Sequence, residues 1–298
     1  MDRPSLVILA AGMARRYGGC KPLAPIGPGG EAVIDLLAGD AVRAGFGQLV
    51  LVLGPQTGPA IRYHVEQCWP AAVPVAFAEQ RVPLGTTHAL LAARGDLPDG
   101  PFAVANADDV YGEAAMGALA AFLGADDGHA LVGYELAHTI VTDDPVTRGV
   151  CQVDAGGNLV AITERRQVSR VAGASFVSGD GTGPERLGGG EIVSVNLWGF
   201  APSIWPVLTA AMEGSGLDEA AIEAEVAAGA APPKAEVLLP EVVGDLIRSA
   251  DAPRVRVIPT DAACVGVTHP QDLPTVREIL SYQVASGLRP PTPWAGIA

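Results

Sequence analysis

Short apolar runs alternate with longer segments of helical periodicity through the first half of the chain. The apolar runs predict buried strands over 6–9, 48–53, 73–78, 101–106 and 129–136. The segments between them predict helices over 32–45, 57–67, 86–94 and 112–124. Strands that recur with intervening helices form βαβ units, so we expect a mainly parallel central sheet with helices on both faces. Ligands of such sheets bind beyond the carboxyl ends of the strands.

The pattern changes in the second half, where strands follow one another and loops lengthen. Strands are predicted over 191–200 and 254–260, and on both sides of a turn at 155–158 within 149–165. Helices are predicted within 202–249 and 270–283, and a Gly- and Ser-rich surface loop over 167–190. The fold class is therefore α/β, with a mixed, mainly parallel sheet and a small β-rich subregion.

The chain shows neither an internal repeat nor the composition shift of a linker, so we predict one domain over 1–285. Its first half, about 1–136, carries the βαβ pattern, and its second half, about 137–285, carries the β-rich subregion. The tail, 286–298, contains several prolines and glycines and is predicted to be loosely ordered.

Composition and charge narrow the functional classes. The chain has 298 residues with 19 basic and 33 acidic side chains, which argues against a nucleic-acid-binding groove. No apolar run approaches the roughly 18 residues that a membrane span needs, and the N-terminal segment reads as mature protein rather than a signal peptide. The four cysteines lack CxxC spacing, which predicts a reducing, cytoplasmic location without a disulfide framework or structural zinc.

The first predicted strand runs into a glycine-rich turn, LVILAAGMARRYGGCKPLAPIG (6–27), that concentrates cations in an acidic chain. A strand followed by glycines and cations is a general arrangement for holding phosphates. Neither the GxGxxG dinucleotide pattern nor the GxxxxGK[ST] P-loop pattern fits this turn. Arg16 and Lys21 are therefore predicted to bind phosphate, whereas Arg15 is better explained as a solvated loop cation.

Two carboxylates follow the strand that is predicted to be central, in PFAVANADDVYG (101–112). Asp108 lies at the same sheet edge as the cationic turn, a placement that suits Mg²⁺ shared with substrate phosphates. For Asp109, a functional carboxylate and a purely structural residue, which caps a helix or forms a turn, are about equally good explanations. The sequence thus predicts Asp108 as a metal ligand.

A third segment, AEQRVPLGTTHALLAAR (78–94), offers polar groups before a predicted helix. Gln80 could hydrogen-bond the edge of a nucleobase, and Gly85 would let that base approach the backbone. His88 is explained equally well as a satisfied helix residue or as a contact to the ligand.

Together these segments resemble the sugar-phosphate nucleotidyltransferases of the GT-A-like, Rossmann-type nucleotidyltransferase fold. The family opening, LAAGxGxR followed by K and P, is similar to LAAGMARR and GGCKPL here. The chain is more similar still to a bacterial NTP-transferase subgroup, through AAGMARRYGG, PLGTTHA, NADDVYG, RGVCQVD, TERR and VSVNLWGF. These motifs occur in the family's order and span roughly residues 6–275.

The resemblance implies a Mg²⁺-dependent transfer of NMP from an NTP to a sugar 1-phosphate, which gives an NDP-sugar and pyrophosphate. It implies that Arg16, Lys21 and Asp108 are catalytic, with Asp108 holding the metal. Implied nucleotide-binding residues are Leu9, Ala10, Ala11, Gly12, Met13, Gln80, Pro83, Gly85, Thr86, Asn106 and Ala107. Implied acceptor-binding residues are Tyr111, Gly149, Glu164, Arg165 and Asn196. The partners are then an NTP and a phosphorylated small molecule, and a homo-oligomer is left open.

Some positions depart from the family pattern. Ala14 and Arg15 replace the usual Gly and Ser of the opening loop, so we expect that loop to be stiffer and more cationic. Gly266 stands where a late metal-binding Asp is common, so Asp261 or a substrate oxygen would have to substitute. The family commonly has a Lys soon after the Glu of a Glu-Lys pair, whereas here Arg165 and Arg166 follow Glu164.

Two other functions stay open from the sequence. A cytidylyltransferase for phosphocholine or another alcohol phosphate would keep the fold, with Trp198, Tyr111 and Glu164 around a cationic head group. A nucleotide-sensing relative without catalysis would fit the departures at Ala14 and Gly266. For transfer itself no general base is expected, because an acceptor phosphate with a second pKa of about 6 is already largely ionised at neutral pH.

Overall fold

The structure, a computed structural model, describes residues 3–12, 17–142, 144–172, 175–249, 253–267 and 269–297. Its strands in chain order are β1 (Ser5–Ala10), β2 (Gln48–Leu53), β3 (Val75–Glu79), β4 (Phe102–Asn106), β5 (Asp109–Val110), β6 (His129–Glu135), β7 (Val146–Val153), β8 (Leu159–Ala172), β9 (Ser175–Ser178), β10 (Arg186–Gly188), β11 (Ile192–Ser194), β12 (Trp198–Phe200), β13 (Val255–Thr260) and β14 (Val265–Gly266). Its α-helices are α1 (Val33–Ala44), α2 (Gly58–Cys68), α3 (Thr86–Ala92), α4 (Glu113–Ala125), α5 (Trp205–Gly214), α6 (Glu219–Ala227), α7 (Leu239–Ile247) and α8 (Leu273–Ala285).

One end of the large sheet is a parallel array in the order β4–β1–β2–β3. The continuous apolar runs of β1 and β2 place these strands where both faces are covered. Leu6 and Ile8 of β1 belong to the apolar cluster that includes α1, α2 and α4, whereas Val7 belongs to the cluster of α3, α5 and α7. This alternation confirms the predicted α/β fold with helices on both faces of the sheet.

The sheet continues past β4 in mixed directions. In the described residues, twelve strands join in one sheet, in which β12 lies between β4 and β6, and β13 pairs in parallel with β6. The β-rich subregion is an antiparallel extension of β11, β7, β8, β9 and β10. Each strand and helix predicted in the first half is present, with ends that differ by no more than two residues, and β5 is an additional short strand.

Two segments of the second half differ from the sequence-based expectation. Residues 167–190 are not simply a surface loop, because β8 continues to Ala172 and β9 and β10 follow. Their Gly- and Ser-rich composition conceals buried side chains, among them Phe176 and Leu187. The single strand expected over 191–200 is split into β11 and β12, with Asn196 between them at φ +63°.

The C-terminal tail packs against the domain rather than lying loose. The guanidinium of Arg289 forms two hydrogen bonds of 2.8 Å to the carboxylate of Asp40 on α1, and both side chains are buried. Trp294 contacts Trp69, with ring centroids 5.4 Å apart. None of the helices in the described parts of the chain combines the length and the apolarity needed to cross a bilayer. The domain boundaries stay a prediction.

Candidate active site at the carboxyl edge of the sheet

Two cavities meet where β4 ends. We call the first, of about 330 Å³, the β1 cavity, because it opens beyond β1 and extends to the ends of β3 and β4. The second, of about 440 Å³, is the β7 cavity, between β7, β8, β11 and α7. Asn106 lines both, Asp108 lines the β1 cavity and Asp109 lines the β7 cavity. Ligands in the two cavities would therefore meet at this turn.

The β1 cavity collects most of the residues that the resemblance implies for nucleotide binding. Its described lining is Leu9, Ala10, Ala11, Gly12, Lys21, Pro22, Gln80, Pro83, Gly85, Thr86, Ala89, Asn106, Ala107, Asp108 and Glu236. Met13 and Arg16 lie outside the described residues, as do Ala14 and Arg15. The sequence reasoning missed Glu236, which comes from the segment before α7 and has no neighbouring motif. The ligand roles of the lining residues stay predictions.

Lys21 and Asp108 form an ion pair across the rim of the β1 cavity. The Lys21 ammonium lies 2.7 Å from the Asp108 carboxylate and donates a hydrogen bond to it. A one-turn 3₁₀ helix, Lys21–Leu23, with Pro22 buried fixes the lysine at the end of the glycine-rich turn. The structure thus places the predicted phosphate-binding cation and the predicted metal ligand at one point.

Asp109 lies beside this pair in a different environment. Burial, followed by the neighbouring charge of Asp108, raises the pKa of the Asp109 carboxyl to about 6, and Lys21 and Arg148 oppose that rise. Asp109 is not the cap of α4, because Gly112 occupies that position. Gly266 of β14 pairs with Asp109 of β5, and a Cβ at Gly266 would overlap with the Asp109 carboxyl. The Asp109 carboxyl therefore fills the space beside Gly266.

The segment after β3 forms the opposite wall of the β1 cavity. Gly85 has φ +101°, and a Cβ there would collide with the backbone of Val237. The backbone of Val237 forms hydrogen bonds with Leu84 and Thr87, so it is held against the start of α3. Gln80 is buried and donates its amide to the carbonyl oxygen of Gly85 at 3.0 Å.

The β7 cavity contains part of the implied acceptor set. Gly149, Glu164 and Asn196 line it, together with Asn106, Asp109, Thr147, Arg148, Ile162, Ser194, Val195, Leu238, Pro240, Glu241, Gly244, Asp245 and Arg248. The carboxylate of Glu164 accepts a hydrogen bond from Arg166. The Asn196 carboxamide oxygen accepts one from the Trp198 indole at 3.3 Å, which leaves the amide NH₂ of Asn196 for the cavity.

The structure does not bring Tyr111 and Arg165 to either cavity. Tyr111 is fully buried, and its hydroxyl accepts from the Asn106 amide and donates to the Val195 carbonyl, so it braces the turn from behind. Arg165 is also buried and binds the Asp180 carboxylate and two backbone carbonyls. Because neighbouring residues of a strand face opposite sides, Glu164 lines the cavity and Arg165 faces away from it.

Arg148 supplies a cation that the sequence reasoning missed. Its guanidinium donates to the Thr139 hydroxyl at 3.0 Å and to the Thr139 carbonyl at 2.6 Å, which fixes its direction. The cation Arg248, directly after α7, also lines this cavity and pairs with Asp245 of that helix. The available signal for Arg148 was its position directly before Gly149 in RGVCQVD.

Comparisons with known proteins bear on the fold and the family of the chain. No curated protein matches the sequence at a significant level. Among solved structures, the inositol-1-phosphate CTP transferase from T. maritima is similar, with a TM-score of 0.65 and 14% identity over 100% of this chain and 99% of that one. This likeness shows the fold. A family model described as the MobA-like NTP transferase domain matches residues 6–175, more than half of the chain. The chain therefore belongs to the MobA-like NTP transferase domain family and is a nucleotidyltransferase.

Proposed function

We propose that this nucleotidyltransferase transfers NMP from an NTP to the phosphate of a sugar 1-phosphate, which releases pyrophosphate and gives an NDP-sugar. The observation that carries the proposal is the meeting of the β1 and β7 cavities at Asn106–Asp109. In this arrangement the NTP occupies the β1 cavity and the acceptor occupies the β7 cavity. The α-phosphate and the acceptor phosphate are then neighbours, as an in-line displacement requires.

The lining of the β7 cavity favours a polyhydroxylated acceptor. Ser194, Asn196, Glu164 and Glu241 offer neutral and anionic hydrogen-bonding groups suited to hydroxyls. The similar solved structure is described as acting on inositol 1-phosphate, a phosphorylated cyclic polyol, which supports the same class of acceptor. Phosphocholine is less well supported, since Trp198 is fully buried and no aromatic side chain among the described residues lines this cavity.

The donor set at the junction fits Mg²⁺. Asp108 would hold the ion, and Asp109 offers a second carboxylate next to it. Mg²⁺ is commonly bound by one or two carboxylates together with substrate phosphates and waters. In the described residues there is no cluster of three or more His, Cys, Asp or Glu ligands, so phosphate oxygens would have to complete the coordination. When bound, the ion supplies charge neutralisation for the approaching phosphates.

The chain's own residues have two tasks in this reaction. Lys21 binds the phosphates of the NTP and stabilises the charge that develops on the departing pyrophosphate. Arg148 binds the acceptor phosphate, a role that Arg165 cannot fill from its buried position. An acceptor phosphate oxygen forms the new bond to the α-phosphorus, and the bond from that phosphorus to the bridging oxygen of pyrophosphate breaks. No side chain has to remove a proton.

A pyrophosphate-release screen tests the proposal. The purified chain is incubated with Mg²⁺, each common NTP, and a panel of sugar 1-phosphates, polyol phosphates and phosphocholine. We expect pyrophosphate with at least one sugar 1-phosphate, and a mass spectrum of the product that shows the NDP-linked sugar. Pyrophosphate with phosphocholine alone would select the alternative acceptor, and tight NTP binding without turnover on any acceptor would favour a sensing role.

A further inference from the structure

Three polar side chains form a line from the molecular surface to the β1 cavity. Glu219 of α6, which is about half exposed, lies 3.0 Å from Nε2 of His88 on α3. Nδ1 of His88 lies 3.0 Å from the amide nitrogen of Gln80, directly after β3. Both His88 and Gln80 are buried between the exposed Glu219 carboxylate and the β1 cavity.

The hydrogen-bonding partners determine the direction of both bonds that the Gln80 amide makes. The same Gln80 amide group lies 3.0 Å from the Gly85 carbonyl oxygen, which can only accept, so the group facing it is the NH₂. Nδ1 of His88 meets this NH₂ and must therefore accept. The imidazole proton then resides on Nε2, the nitrogen that lies 3.0 Å from the Glu219 carboxylate.

In this arrangement both N–H groups of the Gln80 amide donate hydrogen bonds within the protein, and its oxygen is left to accept one from a ligand. The Gln80 Oε1 atom has no hydrogen-bond partner among the described residues, and Gln80 lines the β1 cavity. The sheet order β4–β1–β2–β3 puts the end of β3 three strand spacings, roughly 14 Å, from the Asp108 end of β4. The triphosphate charges belong at the Lys21–Asp108 end, so the neutral wall with Gln80 and Pro83 is left for the base.

We propose that Glu219 and His88 are positioning residues that hold the Gln80 carboxamide with its oxygen toward the base, so that the site selects a nucleotide with an exocyclic amino group. This inference rests on the proposed function, because it requires that the β1 cavity binds an NTP. An amino group such as N4 of cytosine donates to Oε1. The keto oxygen that uracil carries at the same place would instead oppose Oε1.

Equilibrium binding without acceptor tests the selectivity. Isothermal titration calorimetry compares two matched pairs in the presence of Mg²⁺, CTP with UTP and ATP with ITP. Within each pair an amino group is replaced by a keto oxygen, and the adjacent ring nitrogen gains a proton. We expect the amino member of the pair that the cavity accommodates to bind about tenfold more tightly. Equal binding, or a preference for the keto member, would overturn the inference while leaving nucleotidyl transfer intact.

Substitutions of the exposed carboxylate of Glu219 test whether Glu219 and His88 position the Gln80 amide. Glu219→Leu removes the carboxylate oxygen that lies 3.0 Å from His88 Nε2 and favours a proton there, so the amino-to-keto ratio should fall by about threefold or more. Glu219→Gln keeps an acceptor oxygen and should preserve the ratio. The matched control is Glu223→Leu, one turn along α6, whose carboxylate pairs with Arg81 instead. An unchanged ratio in Glu219→Leu would show that Glu219 and His88 do not position the amide.

The tautomer of His88 gives a measurement that does not depend on any nucleotide. In ¹⁵N NMR spectra of the free protein, Nε2 should carry the proton and Nδ1 should have the shift of an unprotonated acceptor. A proton on Nδ1 would contradict the inference that His88 accepts a hydrogen bond from the Gln80 amide. If no nucleotide binds at all, both the proposed function and this inference fail, whereas binding without amino selectivity removes only the inference.

Discussion

At the scale of single residues, the site is organised by opposite charges that partly neutralise one another. The 2.7 Å ion pair of Lys21 with Asp108 keeps a cation and a carboxylate together in a chain with a formal net charge of -14. Binding of a metal and a triphosphate would replace this pair with two new ones, Asp108 with the metal and Lys21 with phosphate. The pair therefore holds both groups in position before substrate arrives.

Lys21→Ala tests this role directly. The substitution removes the charge that would stabilise the departing pyrophosphate, so kcat should fall roughly a hundred- to a thousandfold, or about 2.7–4 kcal/mol. The measurement is steady-state pyrophosphate release, with circular dichroism to verify the fold. Arg186→Ala, which removes an exposed cation on β10 at the far edge of the sheet, is the control and should keep normal turnover. Near-normal activity of Lys21→Ala would contradict the assignment.

Arg148 should act on the acceptor rather than on the nucleotide. Arg148→Lys keeps the charge but loses the fixed fork that Thr139 orients, so the KM for the acceptor should rise about tenfold or more. The Kd for NTP, measured by calorimetry without acceptor, should stay nearly constant. If the Kd for NTP rose by the same factor as the KM for the acceptor, Arg148 would support the whole junction, including Asp109, rather than the acceptor phosphate alone.

At the scale of elements, the tail is attached to α1 by a buried charge pair. Burial raises the pKa of the Asp40 carboxyl, and the attraction of Arg289 and then of Arg43 opposes that rise. Arg289→Met would leave Asp40 with Arg43 as its remaining partner, so the free energy of unfolding should fall by up to about 3 kcal/mol. Chemical denaturation measures this loss.

A double variant separates the charge from the packing of the tail. Asp40→Asn combined with Arg289→Met removes both charges, and it should recover part of the stability that Arg289→Met loses. If the double variant were as unstable as the sum of the two single variants, the buried pair would contribute no coupling, and the Trp69–Trp294 contact would be the main attachment of the tail.

The elements also show how far the sequence alone could lead. The βαβ half was predictable because each strand is a continuous apolar run followed by a helix with its own periodicity. The strands within 167–190 were not, since Phe176 and Leu187 stand alone among glycines and serines and their burial depends on distant strands. At the site, Lys21 and Asp108 could be predicted from motif positions, whereas Arg165 was misplaced because its direction depends on strand alternation and on its partner Asp180.

At the scale of the whole molecule, the two halves of the chain are interleaved in one sheet. β12, from the second half, lies between β4 and β6 of the first half, and Trp198 of β12 pairs with Val104 on one side and Leu131 on the other. β13 then covers the other edge of β6. The β1 cavity is lined mainly by the first half. Glu236 of the second half completes its lining, and the backbone of Val237 forms hydrogen bonds to Leu84 and Thr87 beside it.

This interleaving predicts that the first half does not fold alone. A fragment of residues 1–136 keeps β1–β6 but leaves β4 and β6 without the strand that joins them, and it exposes the apolar surfaces that α5 and α7 cover. We expect the fragment to lack cooperative unfolding and amide dispersion in NMR spectra. The full chain should unfold in one transition, seen equally by tryptophan fluorescence and far-UV circular dichroism. A folded fragment that bound NTP would instead show that the nucleotide half is an independent domain, and that the later strands only attach the acceptor site to it.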